Sequence, residues 1–392
     1  MRTLDGITVL TFEHAIAAPF CTRHLADLGA RVIKVERPGS GDFARAYDQR
    51  ARGMASHFVW VNRSKESLTL DIKHPKARPV LDALIDKADI VVQNLAPGAA
   101  ARLGLSWAAL NARNPRAILC DISGYGPDGP YRDKKAYDLL IQSESGHVSI
   151  TGTPDEPAKS GASVADIAAG MYAYSSVLAA LLRRGVTGRG SHIEISMLEA
   201  MTEWTSYALY YTYDGAEPPP RAGASHAAIF PYGPFQAGDG ATVILAVQNE
   251  REWVAFCQKV LERPDLLACA AFSGNAGRVA ARIELREIID AVFAQLTGLQ
   301  VVERLDAAGI ANARMNSMSD VWEHPQLKAR NRWTDIDSPV GSLRALLPPG
   351  MARADDPQMG PVPALGQHTG AILGELGFSA RDAAALVAEH VV

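Results

Sequence analysis

Short apolar runs alternate with helix-patterned segments through the first 125 residues, and this alternation restricts the fold more than any other feature of the chain. ITVLTF, RVIKVE, DIVVQNL and AILCDISGYG read as strands. PFCTRHLADLG, stopped by Gly29, and KARPVLDALIDKA read as helices between them. Strands joined by helical crossovers lie parallel, so the expected fold is α/β, with a large doubly wound, Rossmann-like sheet. Ligands of such sheets lie beyond the carboxyl ends of the strands. That directs attention to residues 14–19, 37–42, 94–98 and 124–129, three of which are rich in Gly and Pro.

Farther along, VADIAAGMYAYSSVLAALLRR (164–184) reads as a long, mostly apolar helix, and SHIEISMLEAM as a strand entering another helix. Residues 214–225, DGAEPPPRAGAS, read as a linker. Beyond it IFPYGPFQAGDGATVILAVQ predicts a hairpin about Gly238–Gly240, with helices following. Residues 1–213 are therefore expected in a large domain and 224–330 in a smaller α+β domain. The end, PVPALGQHTGAILGELGFSARDAAALVAEHVV, reads as a Pro-rich strip followed by two short helices.

Composition narrows the partners. A formal net charge of -4 supplies no basic field for nucleic acid. The four cysteines are far apart without a CxxC pair, which fits reduced thiols and a cytoplasmic protein. None of the ten histidines falls in an HExxH spacing, so no metal site is expected. MRTLDGITVL enters a strand pattern directly, without the features of a leader, and no uninterrupted apolar run approaches the roughly 20 residues of a membrane span.

Basic residues recur after the predicted strands. VIKVERPGSGD places Arg37 before a Gly-rich turn, which is either a phosphate cradle or a solvated turn. It is neither a GxGxxG fingerprint nor a Walker loop. NRSKESLTLDIKHP contributes Arg63, Lys65 and Lys73, NLAPGAAARLG contributes Asn94 and Arg102, and RDKKAYD contributes Arg132, Lys134 and Lys135. Together these fit a groove for a phosphorylated cofactor; singly, each fits a solvated surface charge. One acid stands apart. Asp166, in KSGASVADIAAG, has no opposite charge nearby in sequence and lies near the start of the long helix. Position alone reads it as a helix cap. The competing reading is a carboxylate nucleophile toward an activated acyl group, and nothing local decides between the two.

Seven segments, in order, resemble the class III CoA-transferase family: LDGITVLTFEHAIAAPFCTRHLADLGARVIKVERPGSGD, NRSKESLTLDIKHP, ADIVVQNLAPGAAARLGL, NPRAILCDISGYGPDGPYRDKKAYDLLIQSESG, GASVADIAAGMYA, GRGSHIEISMLEA and PALGQHTGAILGELG. The resemblance implies that Asp166 is the catalytic aspartate, with the small residues around it leaving room for a thioester, and that residues 331–392 return to the large domain. It implies that Arg37, Leu70, Lys73, Asn94, Leu95, Arg102, Lys135 and Tyr137 contact CoA, with Met197 near the pocket. It also implies acyl-CoA and small carboxylic acids as substrates, no tightly bound cofactor, and an interlocked homodimer. Ile16 stands where some formyl-CoA transferases carry glutamine. HAAIFPYGPFQAGDG is similar to members acting on succinyl-, mesaconyl- or glutaryl-CoA. Arg221, His226 and Tyr232 are then candidates to hold a second carboxylate, or simply fix the turn. The family's 2-methylacyl-CoA racemases show a His-Asp pair where this chain has Tyr137–Asp138, which favours transferase over racemase. A non-catalytic CoA-binding protein is the alternative from another class.

Overall fold

The computed structural model describes residues 1–351 and 356–392. The chain divides into two compact units. The first comprises 1–147, 160–207 and 326–392; the second comprises 148–159 and 208–325. The boundary thus falls six residues before the expected 213, and segment 148–159 leaves the large domain for the smaller unit. Part of the Pro-rich return, residues 352–355, lies outside the described residues.

The first unit is built on six parallel strands: β1 (Thr8–Phe12), β2 (Arg31–Glu36), β3 (Lys65–Thr69), β4 (Ile90–Gln93), β5 (Ile118–Ser123) and β6 (His192–Ser196). Their order is β3-β2-β1-β4-β5-β6. Winding therefore reverses between β1 and β4, and the crevice for a ligand opens there. Four of the six strands follow the apolar runs of the first 125 residues, and β6 follows SHIEIS. The sixth, β3, has the sequence KESLT, which carries no strand pattern. Its polar residues face buried partners: Lys65 Nζ donates to Glu13 at 2.6 Å and Ser67 Oγ to Glu36 at 2.6 Å. Charge pairing replaces the apolar alternation that ordinarily marks a strand.

Each face of the sheet has its own core. On one, α1 (Ala17–Asp27) and α3 (Val164–Thr187) cover Val9, Val32, Ile90, Val92, Ile118 and Cys120. On the other, α2 (Arg78–Lys87) and the C-terminal helices cover Leu10, Ile33, Leu68, Val91 and Leu119. The small residues of α3 serve the first of these contacts. Ala165, Ala168, Ala169 and Ala173 are buried in the core, and Gly170 lies so close to α1 that a Cβ there would stand 2.7 Å from the Ala17 carbonyl oxygen. They bring two helices together rather than clearing space for a thioester.

At 24 residues, α3 is long and apolar enough to cross a membrane, against the sequence expectation of no such stretch. It is nevertheless a core helix: its alanine face is buried, and its buried Arg184 pairs with Asp89 at 3.0 Å.

β3 is an edge strand, and residues from the far end of the chain cover it. Ser67 N–H donates to His368 Nδ1, His368 N–H to Ser67 O, and Thr69 N–H to Thr369 Oγ1. Asp71 N–H donates to Val391 O at 2.7 Å. The edge is thereby closed to foreign strands. A short antiparallel pair, Trp333–Ile336 with Leu343–Leu346, completes this unit.

The second unit holds an antiparallel sheet of Tyr232–Gln236, Thr242–Ala246 and Ala311–Arg314. The first two form the expected hairpin; ANAR lacks apolar alternation and was not legible as a strand. Phe235, Phe256, Phe293 and Leu305 form its core, and Arg278 is buried against Glu250 and the Trp253 ring.

Gly170→Ala forces a methyl against backbone that cannot move aside as a side chain would. Overpacking of this kind costs about 1–3 kcal/mol. The expected result is a lower urea midpoint with an unchanged m-value.

Candidate active site

All six strands point their carboxyl ends to one edge of the sheet, and the crossover from β5 through α3 to β6 brings the start of α3 to that edge. At the reversal point the loops after β1 and β4 are clasped together. His14 N–H donates to Asn94 Oδ1 at 2.9 Å, and Asn94 Nδ2 donates back to His14 O at 2.9 Å. Ala15 is held in the left-handed region at φ 60, its N–H donating to Asp42. Ile16 follows, buried with Phe20 and Val61 in a small cluster against which Ala15 and Ile167 pack. The loop after β1 and the first turn of α3 thus share one apolar cluster.

Asp166 is not the cap of its helix. Ser163 is the N-cap residue and offers no side-chain bond. The carboxylate of Asp138 caps instead: its Oδ1 accepts from Ala165 N–H at 2.9 Å and lies 3.5 Å from Asp166 N–H. Gln142 Nε2 steadies the other oxygen of Asp138 at 2.6 Å. With the cap supplied from elsewhere, the carboxylate of Asp166 makes no hydrogen bond or ion pair among the described residues. Burial, reinforced by the negative charge of Asp138, pushes its pKa up to about 7.

Tyr47 joins this group. Burial first, then the charges of Asp42 and Asp166 and the neighbouring Tyr137 phenol, push it up to about 12. Its ring packs edge-on against His57 at 5.7 Å and tilts on Phe43, which stacks on His14. No pattern in the sequence marks Tyr47; only the fold of the loop after β2 delivers it.

The basic residues separate into two sets. Arg37, Lys73, Arg102 and Lys135 are exposed, lie in segments following β2, β3, β4 and β5, and form no ion pair among the described residues. Arg63, Lys65 and Lys134 are engaged elsewhere. Arg63 is buried on Asp27, which also takes Arg23. Lys65 is buried on Glu13, and Lys134 pairs with Glu144. Arg132 pairs with its neighbour Asp133.

The remaining expected CoA residues differ in what they offer. Tyr137 is 66% exposed and precedes the helix Asp138–Glu144. Leu95 is partly buried, with its N–H on Gln93 Oε1. Leu70 and Met197 are buried in the two cores, and both polar groups of the Asn94 side chain are engaged by His14. At these three positions the side chain is engaged in the structure, which leaves the backbone as the part that could meet CoA.

The candidates in the second unit do not form one cluster. Arg221 donates to the carbonyls of Thr153, Ser149 and Pro154, which leaves it a staple of its own loop. His226 stacks on Tyr232 at 5.2 Å.

The end of β2 also explains what this sheet does not read. Dinucleotide-binding sheets of this strand order use an acid near that point for a ribose hydroxyl. Here Glu36 already accepts two bonds from Arg45, one from Ser67 and one from Asp42 N–H. The turn that follows is fixed from within, and Arg37 remains exposed. Among the described residues there is no cluster of three metal-ligating side chains.

A carboxylate of raised pKa with no partner among the described residues, on a sheet edge where the segments after four strands carry Arg37, Lys73, Arg102 and Lys135, fits chemistry on an acyl group carried by a polyanion. The comparisons agree. The chain is 33% identical over 383 residues to the succinyl-CoA:glutarate CoA-transferase of Mus musculus, covering 96% of this chain and 87% of that one. It is 34% identical to the succinyl-CoA:mesaconate CoA-transferase of Haloarcula hispanica, covering 96% and 97%. A CAIB/BAIF family protein from Brucella suis superposes with a TM-score of 0.85 at 32% identity, over 96% of this chain and 99% of that one. Residues 4–369 match CoA-transferase family III, and the chain belongs to that family.

Proposed function

We propose that this enzyme moves CoA between a small dicarboxylyl-CoA and a free dicarboxylate, with Asp166 as the nucleophile. The observation that carries the reading is the unengaged carboxylate of Asp166 in the first turn of α3, whose capping amides are taken by Asp138. The dicarboxylate class rests on the relatives named for succinyl, glutarate and mesaconate transfer.

In the proposed cycle Asp166 attacks the donor thioester carbonyl; its C–S bond breaks and CoA leaves as thiolate. The thiolate attacks the aspartyl carbonyl of the resulting anhydride, releasing the donor acid and leaving an aspartyl-CoA thioester. The acceptor carboxylate attacks that thioester, and CoA is again released. CoA then attacks the new acyl carbonyl, and Asp166 returns as carboxylate. Each step exchanges one activated acyl bond for another, so no proton or phosphate is consumed. Arg37, Lys73, Arg102 and Lys135 would bind the phosphates as exposed charges. We also propose the interlocked homodimer and a cytoplasmic setting. Exposed Leu182, Val186 and Trp204 support the first, and four unbridged cysteines the second.

Wild-type protein incubated with succinyl-CoA and a panel of mono- and dicarboxylates is expected to form the new acyl-CoA, read by mass spectrometry. Asp166→Ala should lose turnover by at least about a thousandfold while keeping its circular dichroism. Sizing should give twice 42.0 kDa. Exchange at the wild-type rate in Asp166→Ala would overturn the mechanism. Incorporation of α-deuterium into a 2-methylacyl-CoA would point to racemisation instead.

The raised pKa gives a pH dependence with a definite sign. Asp166 attacks as carboxylate, so kcat/KM should rise with pH and level off above about 7. Asp138→Asn keeps an oxygen for the α3 amides and removes the second negative charge; the inflection should move to lower pH. Stability runs the other way. Between pH 4 and 7 the folded protein holds a proton that the unfolded chain has released, so this group's contribution falls as pH rises. Asp166→Asn should therefore melt above wild type by a margin that grows from pH 5 to pH 8. The gain is on the order of 2 kcal/mol after allowance for solvent contact.

Neutralising Arg37, Lys73, Arg102 or Lys135 singly should raise KM for acyl-CoA about three- to tenfold and leave kcat unchanged, with a weaker salt dependence of KM.

A further inference from the structure

Four charged side chains that take no part in the proposed chemistry form an unbroken buried chain beside the site. Lys65 Nζ donates to Glu13 Oε1 at 2.6 Å, Lys34 Nζ lies 3.4 Å from the same oxygen, and Lys34 Nζ donates to Asp42 Oδ2 at 2.7 Å. All four side chains are fully buried. Two cations alternate with two anions, so the chain is electrically balanced, and the remaining oxygen of Glu13 is satisfied by Thr11 and Thr22. Buried ion pairs recover little of their desolvation cost as stability, so their presence asks for another account.

One end of the chain grips the loop after β1 and the other the first turn of α1 that follows it. Lys65 Nζ donates to Pro19 O at 3.0 Å, and Asp42 Oδ1 accepts from Ala15 N–H at 3.2 Å. Between these points lies the segment from Ala15 to Pro19, in which Ala15 has a left-handed backbone that an L-residue with a Cβ resists. Ile16, the next residue, is buried with Phe20 and Val61 in a cluster against which Ile167, the neighbour of Asp166, packs.

We propose that Lys65, Glu13, Lys34 and Asp42 are positioning residues that hold the Ala15–Ile16 loop in its strained form against the start of α3. They thereby fix the wall that faces the acyl group attacked by Asp166. This rests on the nucleophile reading above. The chain acts through the loop and touches no substrate.

The test uses charge-balanced replacement and a local rescue. Lys34→Met with Asp42→Asn removes one cation and one anion and keeps an oxygen for the Ala15 and Ala44 amides. Its kcat with succinyl-CoA and glutarate should fall at least tenfold, while the Kd of free CoA by calorimetry stays within threefold. Adding Ala15→Gly removes the local resistance to positive φ, and kcat should return to within about threefold of wild type. In crystals of the double variant Ala15 should leave the left-handed region. A folded double variant with wild-type kcat, or one that Ala15→Gly does not rescue, overturns the proposal. If the double variant does not fold, Asp42→Asn alone carries the same series with the same two criteria. Wild-type protein that exchanges no CoA would refute the transferase reading instead, and the Ala15 backbone in the double variant would still decide the positioning role.

Discussion

The close approach of α1 and α3 sets the position of everything around Asp166. Gly170 and four buried alanines let the helices meet almost backbone to backbone. That contact fixes where the first turn of α3 stands over the sheet edge. Given that placement, one carboxylate on the helix amides is enough. Asp138 provides it from a different segment, and Asp166 is left with a raised proton affinity and no partner. Two acids share one helix start, and their division of labour follows from which of them occupies the amides.

The sheet carries far more charge inside than its strand patterns suggest. Glu13, Lys34, Glu36, Asp42 and Lys65 are all buried on the first three strands or in the loops that follow them. Outside, Arg37, Lys73, Arg102 and Lys135 are exposed and form no ion pair among the described residues. The distinction matters because a cation already paired at short range has little attraction left for a phosphate, whereas an unpaired exposed one retains it. A protein that handles a polyanion has to keep some cations unneutralised, and here the buried acids are matched by other residues.

Much of this was legible before any coordinates. The alternation of strands and helices predicts the parallel sheet, and seven ordered segments point to Asp166. What was illegible has a common cause, which is distance along the chain. Lys65 reads as a surface charge because Glu13 is 52 residues away, and Arg63 does so because Asp27 is 36 away. β3 has no apolar alternation, since only Leu68 reaches a hydrophobic core while Lys65 and Ser67 meet buried carboxylates. Asn94 is correctly tied to the ligand edge, but its side chain braces His14, a use that no local pattern encodes. Tyr47 lies in a loop without periodicity, and only tertiary structure brings it to Asp166.

The strip of residues closing β3 has a temporal consequence. Ser67 and Thr69 find their partners at His368 and Thr369, about 300 residues later. During synthesis the N-terminal strands emerge long before the segment that seals their edge. A nascent chain whose first five strands have been made still presents the bare outer edge of β3 to its surroundings until His368 and Thr369 have emerged. Closure of this edge is thus a late event in synthesis, and a chain cut short before His368 carries an adhesive edge instead of being simply a shorter enzyme.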